Sequence, residues 1–476
     1  MVFDFENTKE QKKFPSSSFL LKTSKEYSLY ICQHRAIPKI SDGLKPVQRF
    51  ALWVLRNKAE KIKTIALGGL LALERLYVHG DVSCNAAISM LAAPYKNNVP
   101  LIEGLGHFGS RMKPDSWGQP RYTEVRRSKI AEALLYKDLD IIPLEDNYDG
   151  SNQQPKHFLP LIPLVLLNGV SGIAIGWSTN ILPRNLRDLI EATKAVLMDK
   201  PIKQLIPSYK KYDITVTNIG ENKWELVGKA KVNGNSIQIT ELPPGTNHEM
   251  FLKRLIAMEE GEQIRDYMDR SAKKIDFTVR MPRLGQLEDN GKKEKTITTE
   301  KEALDFFKLR EKTTERIVVV DWDGEAIRTY PNPEDVVRDF VKWRLGWYTT
   351  RYEYLRDRDS YELVYWKVLK ILFDGGFTKR LGTFPNKTAL QQDVIDTLAG
   401  AFVCDAHTLE RVVNLPTYRW TQDFLGDVIK KITDFTAIIK EYKDNLASPE
   451  RIRDIYLKEL DELKYLERDL DRDKEH

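Results

Sequence analysis

One tyrosine lies within a run of arginines, and this grouping could support phosphoryl chemistry. Arg121 precedes Tyr122, and Arg126 and Arg127 follow it. A phenol ordinarily has a pKa of about 10, so it attacks poorly at neutral pH unless cations or a metal stabilise the phenolate and the charge that develops on phosphorus. These residue types therefore suit transesterification of a phosphodiester. A tyrosine among arginines is also commonly a surface stacking contact, and composition alone leaves both interpretations open.

A second group combines a cation with the start of a helix. In the segment Tyr77-Val78-His79-Gly80-Asp81, we expect Asp81 to be the N-cap of a helix that runs through Met90. The backbone amides around Gly80, together with His79, would then suit a phosphate oxygen. An ordinary helix cap explains the same residues, so this group is weak on its own.

Both groups lie in a strongly basic interval of an almost neutral chain. Residues 35–129 contain 16 Lys and Arg against 7 Asp and Glu, so their net charge is +9. The net charge of the whole chain is +5, and the remaining residues therefore carry −4. A basic first quarter on a slightly acidic body is typical of a protein that presents one face to a polyanion. A solvated basic surface is the alternative.

Length and composition exclude several classes of protein. The chain has 476 residues, of which 42% are hydrophobic, and it contains no run of roughly 18 apolar residues. We therefore expect a soluble globular protein of two to four domains, with no membrane partner. The three cysteines, Cys32, Cys84 and Cys404, are far apart and odd in number, which argues against a disulfide framework or a zinc site. A reducing, cytoplasmic compartment is expected, because the N-terminus lacks the apolar core of a signal peptide.

The elements that must position these groups are mainly helical at first. The polar, Ser-rich residues 1–18 predict a loose arm. Helical patterns follow over Tyr27–Cys32, Gly43–Lys61 and Asp81–Leu91, and a strand-like stretch after them suggests a helix-turn-helix or winged-helix unit. The apolar stretch over 155–183 is too broken by Pro and Gly for a membrane helix, and we interpret it as buried strands and turns.

The middle of the chain has the pattern of an α+β domain. Period-2 runs over Tyr212–Leu242 predict a β-meander. The remaining elements predicted for this region are helices at Met250–Met258 and Glu300–Leu309 and strands at Ile275–Met281 and Arg316–Val320. The acidic run Asp321–Glu325 resembles a metal-binding cluster, but its position between two strands favours a polar hairpin turn.

The C-terminal third carries the longest helical pattern. No proline interrupts Pro333–Phe373, which predicts a rod of roughly 60 Å at ~1.5 Å per residue. A second helical arm is predicted from Ser448-Pro449, with a heptad-like apolar stripe. Two long arms that flank a smaller unit from Phe377 to about Asp423 suggest an antiparallel coiled coil with a globular tip. An ordinary amphipathic bundle is the alternative.

The order of the motifs resembles one family. Five motifs follow one another along the chain. In order, they are R-A-I-P-x-x-x-D-G-L-K-P-V-Q-R (from Arg35), Y-x-H-G-D, G-H-F-G-S-R (Gly106–Arg111), R-Y-T-E-V-R and N-G-V-S-G-I-A-I-G-W-S-T-N-I-L-P-R-N (Asn168–Asn185). The set is similar to the DNA breakage-reunion subunit of type IIA topoisomerases. Among the branches of that family, it is most similar to the medium subunit of the T-even bacteriophage enzyme.

The resemblance implies a role for each matching residue. Tyr122 would form a 5′-phosphotyrosyl bond, with Arg121 and Arg35 holding the scissile phosphate and His79 assisting at the phosphate or the leaving 3′ oxygen. Ile173 would wedge between base pairs and kink the DNA; without the family, a buried β-branched residue is the preferred interpretation. The other residues implied at the DNA are Lys45, Arg49, Gly80, Asp81 and Arg126.

The resemblance also implies an α+β multidomain fold. Its parts would be an N-terminal arm (1–23), a winged-helix domain with the catalytic tyrosine (24–154), a β-rich tower domain (155–332), a coiled-coil arm (333–376), a helical dimerisation tip (377–423) and a returning arm (424–476). The protein would be a homodimer bound to double-stranded DNA, in a bacterial host cytoplasm if a phage encodes it.

Two cofactors are implied through a partner. We find no metal site and no Gly-rich phosphate loop in this chain. Mg²⁺ would therefore be bound by the Toprim domain, and ATP by the ATPase domain, of a large partner subunit. The complex would be an ATP-dependent type II topoisomerase that relaxes or decatenates DNA. The rival hypothesis is a non-enzymatic winged-helix protein that dimerises through coiled coils and only bridges DNA.

Overall fold

The described residues form two compact units. The computed structural model describes residues 16–282, 297–398 and 405–472. One unit contains the described residues up to Lys342 together with those from Glu459 onward, and the other unit is Trp343–Lys458. Most of the predicted N-terminal arm and Cys404 lie outside the described residues. The part of the arm from Ser16 onward is helical, so the prediction of a loose segment is wrong there.

Helices dominate the first part of the chain. They are α1 (Ser16–Ile31), a π-helix (Cys32–Ala36), α2 (Pro46–Leu55), α3 (Thr64–Leu73), α4 (Asp81–Ala92) and α5 (Lys129–Leu135). A three-stranded antiparallel sheet of order β1-β3-β2 packs with them, formed by β1 (Ile62–Lys63), β2 (Ile102–Leu105) and β3 (Glu124–Arg127).

Helix α2 is shorter than the predicted helix over Gly43–Lys61. Pro46 is its first helical residue, and Lys45 before it has an extended backbone, because a residue that precedes proline is disfavoured in the helical region. The Lys45 amide donates to Gln48 Oε1 at 2.9 Å, which closes the first turn. The apolar run from Phe50 to Leu55 is buried and anchors the helix in the core.

The apolar stretch over 155–183 contains both strands and a short helix. The elements from 144 to 197 are β4 (Leu144–Asp146), β5 (Gln153–Pro155), α6 (Leu164–Leu167), β6 (Val170–Ile173), β7 (Ser178–Ile181) and α7 (Leu186–Leu197). Strands β6 and β7 pair as an antiparallel hairpin. The predicted strands are confirmed, but the tip of the hairpin is exposed rather than buried.

The middle region is a mixture of strands and helices, as predicted. Its elements are β8 (Thr215–Gly220), β9 (Lys223–Val227), β10 (Lys229–Asn233), β11 (Ser236–Glu241), α8 (His248–Glu260), β12 (Asp266–Asp269), β13 (Phe277–Arg280), α9 (Glu300–Phe306), β14 (Arg310–Thr314), β15 (Ile317–Val320) and β16 (Ile327–Tyr330). The core is built on fully buried aromatic side chains, including Phe251, Phe277 and Phe307.

The predicted single meander over Tyr212–Leu242 is wrong. Strands β8 and β9 join β14 in one sheet, whereas β10 and β11 belong to a sheet of order β10-β11-β13-β12. The chain changes sheets at Gly228, where a Cβ would overlap the carbonyl oxygen of Glu241. The Gly228 amide donates to Leu309 O at 2.9 Å. Only glycine allows this close approach, so the switch depends on one residue.

The acidic run after β15 forms a turn, as predicted. Strands β15 and β16 pair as an antiparallel hairpin. The Asp321 carboxylate accepts backbone N–H bonds from Gly324 at 3.0 Å, Glu325 at 3.1 Å and Ala326 at 3.3 Å. All three bonds go to Oδ1, so this carboxylate closes the turn.

The unit Trp343–Lys458 is helical. The helices that build it or pass into it are α10 (Pro333–Asp374), α11 (Phe377–Arg380), α12 (Lys387–Leu398), α13 (Ala406–Val413), α14 (Gln422–Leu446) and α15 (Pro449–Arg472). The predicted long helix is confirmed as α10, with 42 residues. Tyr352 contacts Tyr442 and Trp366 contacts Phe424, so α10 and α14 run antiparallel. Among the described helices, none is both long and apolar enough to cross a bilayer.

Candidate nucleic-acid interface

Tyr122 is presented to solvent on a short turn before β3. Its side chain is 70% exposed, and its amide donates to Gln119 O at 2.9 Å. The guanidinium carbon of Arg121 lies 4.7 Å from the centre of the Tyr122 ring. The predicted pairing of these two residues is therefore present in the structure, and the stacking contact does not bury the phenol.

The turn is fastened to the beginning of α3. The Thr64 amide donates to Thr123 O at 3.0 Å, and the Ile65 amide donates to Pro120 O at 3.1 Å. The hydroxyls of Thr64 and Thr123 bond to each other at 2.7 Å in a buried position. The first amides of a helix have no hydrogen-bond partner within the helix. The carbonyls of the turn therefore accept from the free amides of α3, and these bonds hold the turn in place. Sequence analysis missed this threonine pair.

Several cations beside the turn are paired with carboxylates. Arg126 donates to Glu103 on the neighbouring strand at 2.6 Å, although both side chains are about half exposed. Lys61 and Lys63 contact Glu124 at 2.8 and 3.0 Å, and their hydrogen bonds lower the pKa of that carboxyl group. The positive field around Tyr122 is therefore weaker than the residue count of the basic interval indicates.

The π-helix that follows α1 places Arg35 at the surface. The Ile37 amide donates to Cys32 O at 3.1 Å, which closes the wider turn. Cys32 and Ala36 are buried, whereas His34 and Arg35 between them are exposed. π-Helical turns occur mostly as local bulges and are frequent at functional sites.

Aromatic and imidazole rings gather around this turn. The His34 ring centre lies 4.9 Å from that of Tyr30, whose hydroxyl is 3.5 Å from His79 Nε2. Tyr77 packs edge-on against His79 at 5.5 Å. Burial raises the pKa of Tyr77, while the nearby positive charge of Arg35 acts in the opposite direction. The structure thus brings the predicted residues Arg35 and His79 into one cluster.

The start of α4 differs by one residue from the prediction. Gly80 is the N-cap, with a φ of 87°, and Asp81 is the first helical residue. Asp81 Oδ1 accepts from the Val82 amide at 2.9 Å. The left-handed backbone at Gly80 is suited to glycine, and it leaves the exposed residues His79, Gly80 and Asp81 on one surface.

Lys45 lies against the strand that carries Ile173, although 128 positions separate the two residues in the chain. Lys45 Nζ donates to Ser171 O, in strand β6, at 3.0 Å. Ile173, at the end of the same strand, is 89% exposed. The interpretation of Ile173 as a buried core residue, which composition alone favoured, is therefore wrong.

Arg49 does not occupy the position that was predicted for a phosphate ligand. Its side chain is buried, and its Nε and Nη2 donate to the two Asp42 oxygens at 2.6 and 2.9 Å. A further bond runs from Nη2 to Leu44 O at 3.0 Å. A buried ion pair of this kind shapes the protein interior, so we assign Arg49 to the support of the site rather than to its surface.

A groove that sequence analysis missed lies beside Lys45. It encloses about 570 Å³, and its lining includes four lysines and three tyrosines: Lys45, Lys96, Lys210, Lys211, Tyr95, Tyr209 and Tyr212. Lysines mixed with tyrosines are suited to a nucleic-acid backbone. The only sequence signal was the short run Lys210-Lys211-Tyr212, which does not stand out from the many other charged residues.

Known proteins resemble this chain in sequence over most of its length. The family model of the A subunit of DNA gyrase and topoisomerase IV matches residues 35–461. The chain belongs to this family. The family resemblance that the motifs indicated is therefore confirmed.

Individual proteins that resemble this chain include viral and eukaryotic ones. The DNA topoisomerase medium subunit of Enterobacteria phage T4 is 32% identical over 326 residues, which cover 67% of this chain and 71% of that protein. DNA topoisomerase 2-alpha of Gallus gallus is 31% identical over 338 residues. The chain spans only 21% of the length of that protein and 20% of the length of Penicillium chrysogenum DNA topoisomerase 2.

A solved structure extends the likeness to the fold. The DNA-binding, cleavage and re-ligation domain of Plasmodium falciparum topoisomerase II matches with a TM-score of 0.81 and 22% identity, over 96% of this chain and 65% of that chain. At 22% sequence identity, this match supports a shared fold and nothing further. The mixed α and β architecture predicted from the sequence is confirmed.

Proposed function

We propose that the chain is the DNA-cleaving subunit of an ATP-dependent type II DNA topoisomerase. The observation that carries the proposal is the exposed Tyr122 under the Arg121 guanidinium, in a chain that belongs to the A-subunit family. Each of two Tyr122 residues in a homodimer would cut one strand, a second duplex would pass through the break, and resealing would follow. Relaxation or decatenation of DNA would be the result.

The proposed reaction exchanges one phosphodiester for another. The Tyr122 phenolic oxygen attacks the phosphorus, the bond from phosphorus to the 3′ oxygen breaks, and a 5′-phosphotyrosyl bond forms. The phenol proton leaves and the 3′ oxygen takes up a proton, so atoms and charge balance. Because an ester replaces an ester, the reverse step reseals the strand without an external energy source.

Cations on the protein surface would stabilise this transfer. Arg121 and Arg35 present exposed guanidiniums, which suit the charge that accumulates on the phosphoryl oxygens. His79, in the Arg35 cluster, would assist at the phosphate or at the leaving 3′ oxygen. Arg126, Gly80 and Asp81 are also exposed and would lie along the DNA.

Ile173 would act as a wedge in the DNA. An apolar side chain that is 89% exposed at a hairpin end has no role in the core. Apolar wedges that enter between base pairs kink the duplex, and the cost of unstacking is offset by the extra surface that bent DNA contacts. Lys45 and the lysine-lined groove beside it would lie next to the bent duplex.

The division into parts predicted from the sequence is carried forward as part of this proposal. The sheet β1-β3-β2 with helices α2 to α4 is what a winged-helix domain over 24–154 requires. The sheets between 215 and 330 suit a tower domain over 155–332. Antiparallel α10 and α14 suit coiled-coil arms at 333–376 and 424–476, and the short helices between them suit a dimerisation tip at 377–423.

The described residues of this chain do not fit a metal site. No group of three or more His, Cys, Asp or Glu side chains among them could hold a metal ion. We therefore propose that Mg²⁺ and ATP are bound by a large ATPase/Toprim partner subunit. Such a partner belongs to the proposal, together with double-stranded DNA.

Covalent capture tests this proposal. The chain is mixed with duplex DNA, Mg²⁺ and the ATPase/Toprim subunit of the same source, and the mixture is denatured. Wild-type protein should carry DNA into the denaturing gel, and Tyr122→Phe should carry none while it still binds DNA. Tyr148→Phe is the matched control, because Tyr148 is similarly exposed at 63% but belongs to the turn between β4 and β5 rather than to the turn before β3. DNA binding without any covalent product from the wild type would favour the bridging protein instead.

A further inference from the structure

The β6–β7 hairpin, which carries Ile173, is in close backbone contact with the π-helix that carries Arg35. Gly172, next to Ile173, lies so close to Ala36 that a Cβ on Gly172 would overlap the Ala36 carbonyl oxygen and lie 3.0 Å from its carbonyl carbon. Ala36 directly follows Arg35 in the chain. The backbone that carries the wedge and the backbone that carries a proposed phosphate ligand are thus in direct contact.

Lys45 lies at the same contact. Its Nζ donates to Ser171 O at 3.0 Å, and the same Nζ would lie only 3.5 Å from a Cβ on Gly172. The lysine itself is fixed at the beginning of α2, where its amide donates to Gln48 Oε1. Partial burial disfavours the charged ammonium and lowers the pKa of Lys45. The ammonium therefore benefits from the carbonyl that it contacts.

The remaining sides of the hairpin are also held. Ala174 packs on a cluster formed by Cys32, Ala36, Ile37, Val318 and Val320. Arg316 Nη1 donates to Ser178 Oγ at 2.9 Å, across from Ile173 in the hairpin register. One packed assembly is consequently formed by the π-helix, the β6–β7 hairpin and strand β15. A movement of one of these elements would therefore displace the others.

We propose that Lys45 is a positioning residue, which holds the β6 strand against the π-helix and thereby couples entry of the Ile173 wedge into DNA to the placement of Arg35. This inference rests on the proposed function and refines it, since Lys45 would act through Ser171 and Ile173 rather than as a phosphate ligand. If DNA displaces Ile173, the movement would be transmitted through Gly172 and Ala36 to the π-helix that carries Arg35.

Two readouts separate this role from a simple phosphate contact. A lysine that neutralises one phosphate contributes about 0.9 to the slope of log K against log salt concentration. Lys45→Met keeps the aliphatic stem but removes the donor to Ser171 O. We expect it to reduce DNA bending and to leave the salt slope unchanged, whereas Arg121→Met, which removes an exposed guanidinium of the proposed phosphate site, should lower the slope by about one unit.

The bending measurement uses a double-mutant cycle. All variants carry Tyr122→Phe, so that cleavage plays no part, and bending of a duplex of about 30 base pairs labelled at both ends is measured by fluorescence transfer. Lys45→Met should reduce the transfer as Ile173→Ala does, and the combination should be no worse than Ile173→Ala alone. Gly172→Ala should reproduce the effect, because its Cβ displaces the hairpin.

Clear outcomes would overturn the inference. Lys45 would be an ordinary phosphate ligand if the effects of Lys45→Met and Ile173→Ala on bending were additive. The same conclusion would follow if Lys45→Met lowered the salt slope by about one unit. If Gly172→Ala does not fold, the cycle with Lys45→Met still decides. A failure of covalent capture by the wild type would instead contradict the proposed function, and the bending cycle in the Tyr122→Phe background is independent of that result.

Discussion

Two groups of arginines in this protein have opposite physical character. The first group consists of three arginines that are buried on carboxylates, and we call these pairs the floor: Arg49 on Asp42, Arg111 on Glu241 and Arg184 on Glu315. Arg35 and Arg121 are exposed beside His79 and Tyr122, and we call these four residues the rim. A buried guanidinium must keep its carboxylate, whereas an exposed one can exchange water for a phosphate.

The difference teaches that membership in a motif does not define a role. Arg35 and Arg49 belong to the same continuous motif, and Arg111 and Arg121 are ten positions apart. In each pair one member shapes the interior and the other faces solvent. The two regions should therefore respond differently to the same substitution: the floor in stability and the rim in chemistry.

The largest contrast is expected from one substitution made in both regions. Arg184→Met leaves the buried Glu315 carboxylate without its cation, and the free energy of unfolding should fall by about 3–5 kcal/mol. Arg121→Met should change it by less than about 0.5 kcal/mol, because the side chain is exposed. Chemical denaturation of both variants measures the difference. Equal losses would remove the distinction between floor and rim.

Acidification should weaken the floor next. His157 lies against it, with Nδ1 3.0 Å from Phe158 O, and burial lowers the pKa of His157 to about 4. The unfolded chain, with an ordinary histidine pKa of about 6.5, binds the proton first as the pH falls. The stabilisation is therefore complete above about pH 6.5 and is lost progressively towards pH 4, to a total of about 3 kcal/mol.

His157→Gln isolates this contribution from the other titrating groups. The difference in unfolding free energy between wild type and variant should shrink as the pH falls from 7 to 4. A difference that stays constant over this range would show that His157 does not carry the pH dependence.

A smaller effect is expected from a conservative change on the rim. Arg121→Lys keeps the charge but loses the planar guanidinium that can hold two phosphoryl oxygens, so the rate of covalent complex formation should fall by about 10- to 100-fold. Stability and the salt dependence of DNA binding should stay as in the wild type. Rapid-quench measurement of the covalent complex gives the rate, and a rate equal to that of the wild type would exclude Arg121 from the chemistry.

The smallest effect on the protein itself is expected at the wedge. Ile173→Ala removes a side chain that is 89% exposed, so the free energy of unfolding should change by less than about 0.5 kcal/mol. DNA bending should nevertheless decrease, as fluorescence transfer between duplex ends would report. A marked loss of stability with unchanged bending would place Ile173 in the core after all.

Much of the fold could be predicted because strong local patterns decided it. Helix α4 begins within one residue of its predicted cap at Asp81, and α10 fills the proline-free stretch from Pro333. The hairpin β15–β16 follows from two apolar runs around Asp321–Glu325. In each case the signal lies within the segment itself, so no knowledge of distant partners was needed.

The failures share a different cause, since each depended on a distant residue. The change of sheet at Gly228 is decided by contact with Glu241 and Leu309. The burial of Arg49 depends on the Asp42 carboxylate, which is held in turn by the Phe158 amide, 116 positions along the chain. The exposure of Ile173 follows from how its hairpin packs on Ala36. Sequence spacing carries no information on such contacts.

The sequence indicated residues for the candidate site but not the contacts that hold them in place. The residues Tyr122 and Arg121 were named together because they are adjacent, and the structure places the guanidinium over the ring. The support beneath them, the hydroxyl pair of Thr64 and Thr123, has no sequence signal, because threonines are common and 59 positions separate these two.

The central claim is that Tyr122 is the nucleophile, and the attachment site of trapped DNA tests it most directly. The wild-type covalent complex, formed with the partner subunit and Mg²⁺, is digested with nuclease and protease and analysed by mass spectrometry. We predict a nucleotide joined through its 5′ phosphate to the peptide that contains Tyr122. A nucleotide attached to any other residue, or through its 3′ phosphate, would contradict the assignment of Tyr122 as the nucleophile.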